Sequence, residues 1–158
     1  MARVQVAASV IKIRIPGEPV AQGRPQAYTG KDGKPHLYDT GRSKRYKNKV
    51  RATIMEAIGL PGQTNGTAYP SGVPVEVIIR AYHSCPASDE RVRTPTPQRW
   101  RVCKPDIDNI AKGVLDACTG YLWHDDAQVV RLVAEHYTAA QGDKPCVIIE
   151  VNHLGTQQ

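Results

Sequence analysis

The sequence predicts an α/β fold, α+β by segregation, with one mixed sheet of about four strands and two main helices on one face. Three observations carry this prediction. Four segments read as strands, two of them alternating apolar and polar residues with period two. Two others repeat apolar residues at helical spacing, and their basic or acidic residues lie off the apolar stripe. The chain, at 158 residues, is long enough to bury one real core. A single domain over residues 1–158 is therefore expected, with its core at about 10–153.

The first strand is predicted at residues 10–15, where Ile11, Ile13 and Ile15 alternate with Lys12 and Arg14. Pro16 and Gly17 end it. Residues 16–41 are punctuated throughout by Gly and Pro and read as one long loop, a length that usually marks function or mobility. A helix is expected over 43–58 from Tyr46, Val50, Ile54, Ala57 and Ile58, with Ser43 placed to cap it. Arg42, Lys44, Arg45, Lys47, Lys49 and Arg51 make this helix positive without a single acid. Residues 59–72 read as a flexible loop and 75–82 as an alternating strand. A second polar loop over 83–101 holds Arg91, Arg93, Arg99, Arg101 and Trp100. The Trp is either a base-stacking surface or a core anchor. The second helix is expected over 106–119, with an apolar stripe of Ile107, Ile110, Ala111, Val114 and Cys118 and a stop at Gly120. Asp108, Asn109, Lys112 and Asp116 fall on its opposite arc. Strands at 128–138 and 146–154 complete the chain.

Charge divides the molecule. The net charge is +6 with an isoelectric point near 9.3. Residues 1–104 hold 18 Lys/Arg against 7 Asp/Glu, a net +11, and residues 105–158 hold 3 against 8, a net −5. A basic half suits a nucleic-acid backbone and an acidic half suits cations. Cys85, Cys103, Cys118 and Cys146 form no C-x-x-C pair, which argues against a zinc site, and Cys118 and Cys146 read as buried free thiols. Residues 1–9 lack the pattern of a secretory signal, and no run approaches the ~18 apolar residues of a membrane span. A cytoplasmic protein with no membrane partner is expected.

The acids are not spread evenly. Asp106, Asp108, Asp125 and Asp126 stand within 21 residues of a basic chain. Gathered carboxylates repel unless a cation or shared protons neutralise them, and hard oxygen ligands select Mg²⁺ or Mn²⁺. Asp106 at a helix N-cap is non-helical, so its side chain can swing toward the same ion as Asp108, and Asp126 at a strand start can join them. The expectation is that Asp106, Asp108 and Asp126 meet around one point, with one of Asp125 and Asp126 coordinating and the other supporting. Such a site beside a basic surface points to phosphodiester hydrolysis. Lys112, one turn beyond Asp108, can stabilise the phosphate or protonate the leaving group. The plainer alternative is an i, i+4 salt bridge of Lys112 to Asp108 or Asp116, worth ~0.5 kcal/mol.

Lys104-Pro105-Asp106-Ile107-Asp108-Asn109, Lys112, Leu115-Asp116-Ala117 and Trp123-His124-Asp125-Asp126-Ala127-Gln128-Val129 together resemble the signature of the RusA family of Holliday junction resolvases. These are small dimeric endonucleases often carried by phages and prophages. Pro19 and Gly23-Arg24-Pro25 resemble the family's N-terminal element, and the likeness covers about residues 10–153. It implies that Asp106, Asp108 and Asp126 are Mg²⁺-binding catalytic carboxylates, that Lys112 is the essential basic residue, and that Mn²⁺ substitutes for Mg²⁺. It also implies a homodimer acting on four-way DNA junctions. Phosphate contacts are expected from Arg24, the bases of 42–51, the arginines of 91–101 and Lys104. Two rivals stay open: a nuclease for replication forks or other branched phage DNA, and a branched-DNA binder that does not cut. A structural cation site in an interaction protein is a third.

Overall fold

The computed structural model describes residues 10–24, 26–38, 41–59 and 67–155. The reading of residues 1–9, Pro25 of the Arg-Pro element, and 60–66 of the predicted loop lie outside the described residues. In chain order the elements are β1 (Ile11–Pro16), β2 (Gln26–Thr29), β3 (Pro35–Tyr38), α1 (Gly41–Ile58), β4 (Val75–His83), β5 (Arg99–Trp100), α2 (Ile107–Cys118), β6 (Val129–Thr138) and β7 (Cys146–His153).

Five strands form one mixed sheet in the order β1-β7-β4-β6-β5. β4 pairs β6 in parallel and β7 antiparallel, while β1 closes one edge on β7 and β5 the other on β6. Alternation decides the faces. β4 buries every second residue, with Val75, Val77, Ile79 and Ala81 fully covered. Together with Ile13, Ile15, Val147, Ile149 and Val151 they meet Tyr46, Val50 and Ile54 of α1 and Ile110, Val114 and Cys118 of α2 in one core. Both helices thus cover one face, as periodicity predicts, and burial of each such side chain is worth about 1.5–3 kcal/mol.

The parallel β4–β6 pair places α2. Parallel neighbours need a long crossover, and α2 supplies it, so the helix lies against the sheet between the end of one strand and the start of the next. Gly120, at φ +84°, ends the helix as expected.

The structure departs from the sequence reading in four places. Residues 16–41 are not one loop, because β2 and β3 form an exposed antiparallel hairpin turned at Gly33 (φ +72°). Ser43 does not cap α1, which begins at Gly41, and Ser43 is buried within it. β6 begins at Val129 after a short 3-10 turn, Asp126–Gln128. A fifth strand, β5, stands inside the predicted second polar loop.

Candidate active site

Asp108, Lys112 and Asp116 are spaced four residues apart and share the outer arc of α2. They line a cavity of about 520 Å³ between the helix and β6, which Asp126, Leu132 and Ala134 complete. Asp108 also borders a neighbouring cavity of about 560 Å³, lined by Arg101, Lys104, Asp106 and His136. The Lys104–Pro105 peptide on the wall of this second cavity is cis.

Each acid is held differently. Asp106 is the N-cap of α2 with extended backbone (φ −74°, ψ 142°), yet its side chain makes no cap hydrogen bond. It is ion-paired with Lys104 instead. Among the described residues Asp108 receives only a long contact of 3.4 Å from Asn109 Nδ2. Asp126 is the most firmly aimed: Trp123 Nε1 donates to its Oδ1 at 3.0 Å, and Thr119 Oγ1 donates to the same oxygen. Trp123 is fully buried, and a buried indole N–H needs an acceptor. Asp125 is spent on structure, since it accepts from Ala127 N at 2.7 Å in a capping box with Gln128. Gln128 itself accepts from His124 N and Asp125 N and donates to Pro70 O and Val73 O, which pins the turn to the stretch before β4.

The expectation that Asp106, Asp108 and Asp126 meet around one point is not met. Among the described residues no three Asp, Glu, His or Cys side chains form a metal-holding group. The reason is the direction of α2. Asp108 stands in its first turn and Thr119, which holds Asp126, just past its last, ~16 Å apart at 1.5 Å of rise per residue. Asp106 faces the second cavity, and Asp125 lines neither. Asp116, not Asp108, is the acid of α2 on Asp126's side. The donors still suit a hard cation in kind: the cavity presents carboxylate oxygens and no thiol or imidazole. Mg²⁺ is commonly held by one or two carboxylates with substrate phosphates completing the shell, which this open cavity allows.

Lys112 is exposed and, among the described residues, has no ion-pair partner, so the simple salt bridge to Asp108 or Asp116 is not made. Asp116 pairs with Lys47 of α1 at 3.3 Å.

That pair corrects the reading of α1. Lys47 is 9 % exposed and turned inward, so it is no phosphate contact. At about 100° per residue, Lys44, Lys47 and Arg51 fall on the flank toward α2, and Arg42, Arg45 and Lys49 on the other. Arg51 lies 5.9 Å over the Tyr121 ring, while Lys49 Nζ donates to Pro16 O. Arg24, Arg42, Lys44, Arg45, Arg91 and Arg93 are exposed. Arg99 is ion-paired with Asp89, and Arg101 donates to Lys104 O at 2.9 Å.

Behind the second cavity stands a histidine pair. His83 and His136 meet edge to face at 4.9 Å, and His83 Nδ1 donates to Glu18 Oε2 at 3.1 Å. Burial, with Arg101 and His136 nearby, pushes His83 down to about 4. Burial and Arg101 lower His136 too, against the opposing pull of Asp106. Burial also raises the Cys118 thiol, helped by Asp126. All four cysteines are free, and Cys118 and Cys146 are buried as expected.

The elements that line this cavity fall within a stretch of the chain that matches a known family. The family model Endodeoxyribonuclease RusA matches residues 16–152. The chain belongs to the RusA family. The uncharacterized protein YqaN of Bacillus subtilis (strain 168) is 31% identical over 147 residues, covering 90% of this chain and 97% of YqaN. For a RusA-family chain, endodeoxyribonuclease chemistry is the activity the membership supports. Among its described residues no helix is long and apolar enough to cross a membrane.

Thr119, Trp123, Gln128 and the inward role of Asp116 were missed as site residues. Trp123 carried a signal, since a large aromatic three residues before an acid has its indole N–H within reach of that carboxylate. Gln128 carried none.

Proposed function

We propose that this chain is a Mg²⁺-dependent, structure-specific endodeoxyribonuclease that resolves four-way DNA junctions by paired symmetric nicks. It works as a homodimer in the cytoplasm, as one compact domain, and Mn²⁺ replaces Mg²⁺. The observation that carries the reading is the cavity in which Lys112, without an ion-pair partner among the described residues, stands between Asp108 and Asp126, in a chain of an endodeoxyribonuclease family.

Asp108, joined by Asp106 from the same end of α2, where no cap hydrogen bond ties that side chain to the helix, would hold the ion with substrate phosphates completing its shell. Asp126 would face it from the other end of the cavity. When bound, the ion supplies charge relief on the phosphate and activation of water. Lys112 donates toward the non-bridging or leaving oxygen, where charge develops. Trp123 and Thr119 keep Asp126 aimed while the substrate enters. Leu132 and Ala134 keep the far wall apolar, which strengthens each charge interaction inside. The exposed bases of α1 and of residues 91–93 hold flanking phosphates. A pair of identical subunits would match the two-fold symmetry of a four-way junction and supply both cuts.

The test compares cleavage of a synthetic four-way junction, a fork, a flap and plain duplex, with and without Mg²⁺. Symmetric nicks in the junction alone, dependent on the ion, are expected. Equal cutting of all four would point to a general branched-DNA or duplex nuclease, and binding without cutting to a pure binder. Salt titration of binding should give a slope of about −0.9 per neutralised phosphate.

A further inference from the structure

Trp100 is not a core anchor. It is 64 % exposed, although one face of its ring lies on Tyr137 with centroids 4.5 Å apart and planes 23° off parallel. Tyr137 in turn stacks on Tyr82 at 5.1 Å and 15°. The three rings belong to β5, β6 and β4, and they form a ladder across the face of the sheet opposite the helices. Strands lie ≈ 4.7–4.9 Å apart, so cross-strand rings at facing positions meet at about a stacking distance. β5 is the edge strand, and no described strand continues the ladder beyond the indole.

The setting is specific. Arg99 and Trp100 pair with Thr138 and Tyr137, and Arg101 N extends the pairing by donating to His136 O at 3.0 Å. The next residues, Val102 (97 % exposed) to Pro105, cross the β6 edge and line the cavity of Asp106. Trp100 is thus fixed to the chain that delivers Asp106, six residues on. Arg14 and Lys144, both exposed, border the Tyr82 end of the ladder. The acids nearby are partnered or outnumbered: Glu135 is held by Arg80 at 2.7 Å, and Asp143 stands beside Lys144 and Arg14.

We infer that the Trp100–Tyr137–Tyr82 ladder is a stacking platform for an unpaired DNA base, with Trp100 as the outermost ring. Every base offers a π-face, so the contact is tolerant of sequence and favours bases that have left the duplex stack. The inference rests on the DNA-cutting reading above and deepens it. Distorted bases at a branch point would seat on Trp100 while the adjoining strand passes the acid-lined cavities.

Trp100 and Trp123 are the two tryptophans, and Trp123 is fully buried, so fluorescence separates them. The full chain is titrated in EDTA with a four-way junction, a matched continuous duplex and a thymidine oligonucleotide, while labelled-DNA anisotropy follows occupancy. Emission should be quenched by the junction and the oligonucleotide but not by duplex at equal occupancy. Trp100→Phe should remove the quench and keep affinity, and Trp100→Ala should weaken junction binding about tenfold, the scale of one base–aromatic stack. The residual emission of Trp123 reports that the Trp100→Ala chain is folded. Tight junction binding with no quench, or with equal quench on duplex, overturns the platform alone, as does a folded Trp100→Ala chain of undiminished affinity. Absence of binding to any of the three DNAs overturns both the platform and the nuclease reading.

Discussion

Two charged surfaces flank β6, and they treat their charges in opposite ways. On the open face of the sheet, Arg80 reaches Glu135 at 2.7 Å and Glu150 at 3.4 Å, Arg131 reaches Glu76 at 3.0 Å, and Asn152 donates to Glu76 at 2.9 Å. Each charge of these pairs is answered by a cross-strand neighbour. Under α2, Asp108 has one long contact and Lys112 none among the described residues, although acids and a base share one wall. Answered charges hold strands together. Unanswered ones stabilise nothing in the free protein and are available to a ligand that carries charge of its own.

The contrast breaks most sharply at Asp108. Asp108→Asn should lower junction cleavage by at least about a hundredfold, the scale of a lost transition-state contact, while affinity holds or tightens as one repulsive charge leaves the phosphate path. Cleavage at the parental rate would remove the cavity from the chemistry. Next comes Lys112→Ala, expected to cost about a hundredfold in kcat with little change in KM. A change confined to KM would make Lys112 an anchor only. Trp123→Phe takes the indole donor from Asp126 and should cost about tenfold, as for partners that orient a metal ligand. If its rate is normal in a folded chain, Thr119 alone suffices. At the small end, Glu135→Gln on the open face should leave cleavage within about twofold and stability within about 1 kcal/mol. A large loss of cleavage there would erase the distinction between the surfaces.

Periodicity made most of this fold legible. Val75–His83 alternates because one face is core, and Ile107–Cys118 shows its stripe for the same reason. The β2–β3 hairpin was illegible because β2 buries none of its four residues, so no apolar alternation marks it among the glycines and prolines. β5 is two residues long, below any pattern. Lys47 read as surface because its partner, Asp116, is 69 residues away. The acids were found by type and spacing, but their meeting point was misjudged. Spacing does not say which way a helix runs against the next strand, and α2 sets Asp108 in its first turn and Thr119, which holds Asp126, just past its last.

Gln128 has a consequence of its own. Its carboxamide offers two donor hydrogens and a two-fold acceptor, and this turn uses all of them. Glutamate would face two carbonyls with like charge, and leucine would strand four polar groups. The aim of the neighbouring carboxylate is therefore indexed to Pro70 and Val73, a stretch far upstream. Altering the length of that entry into β4 would first misdirect a single acid, before it loosened the core.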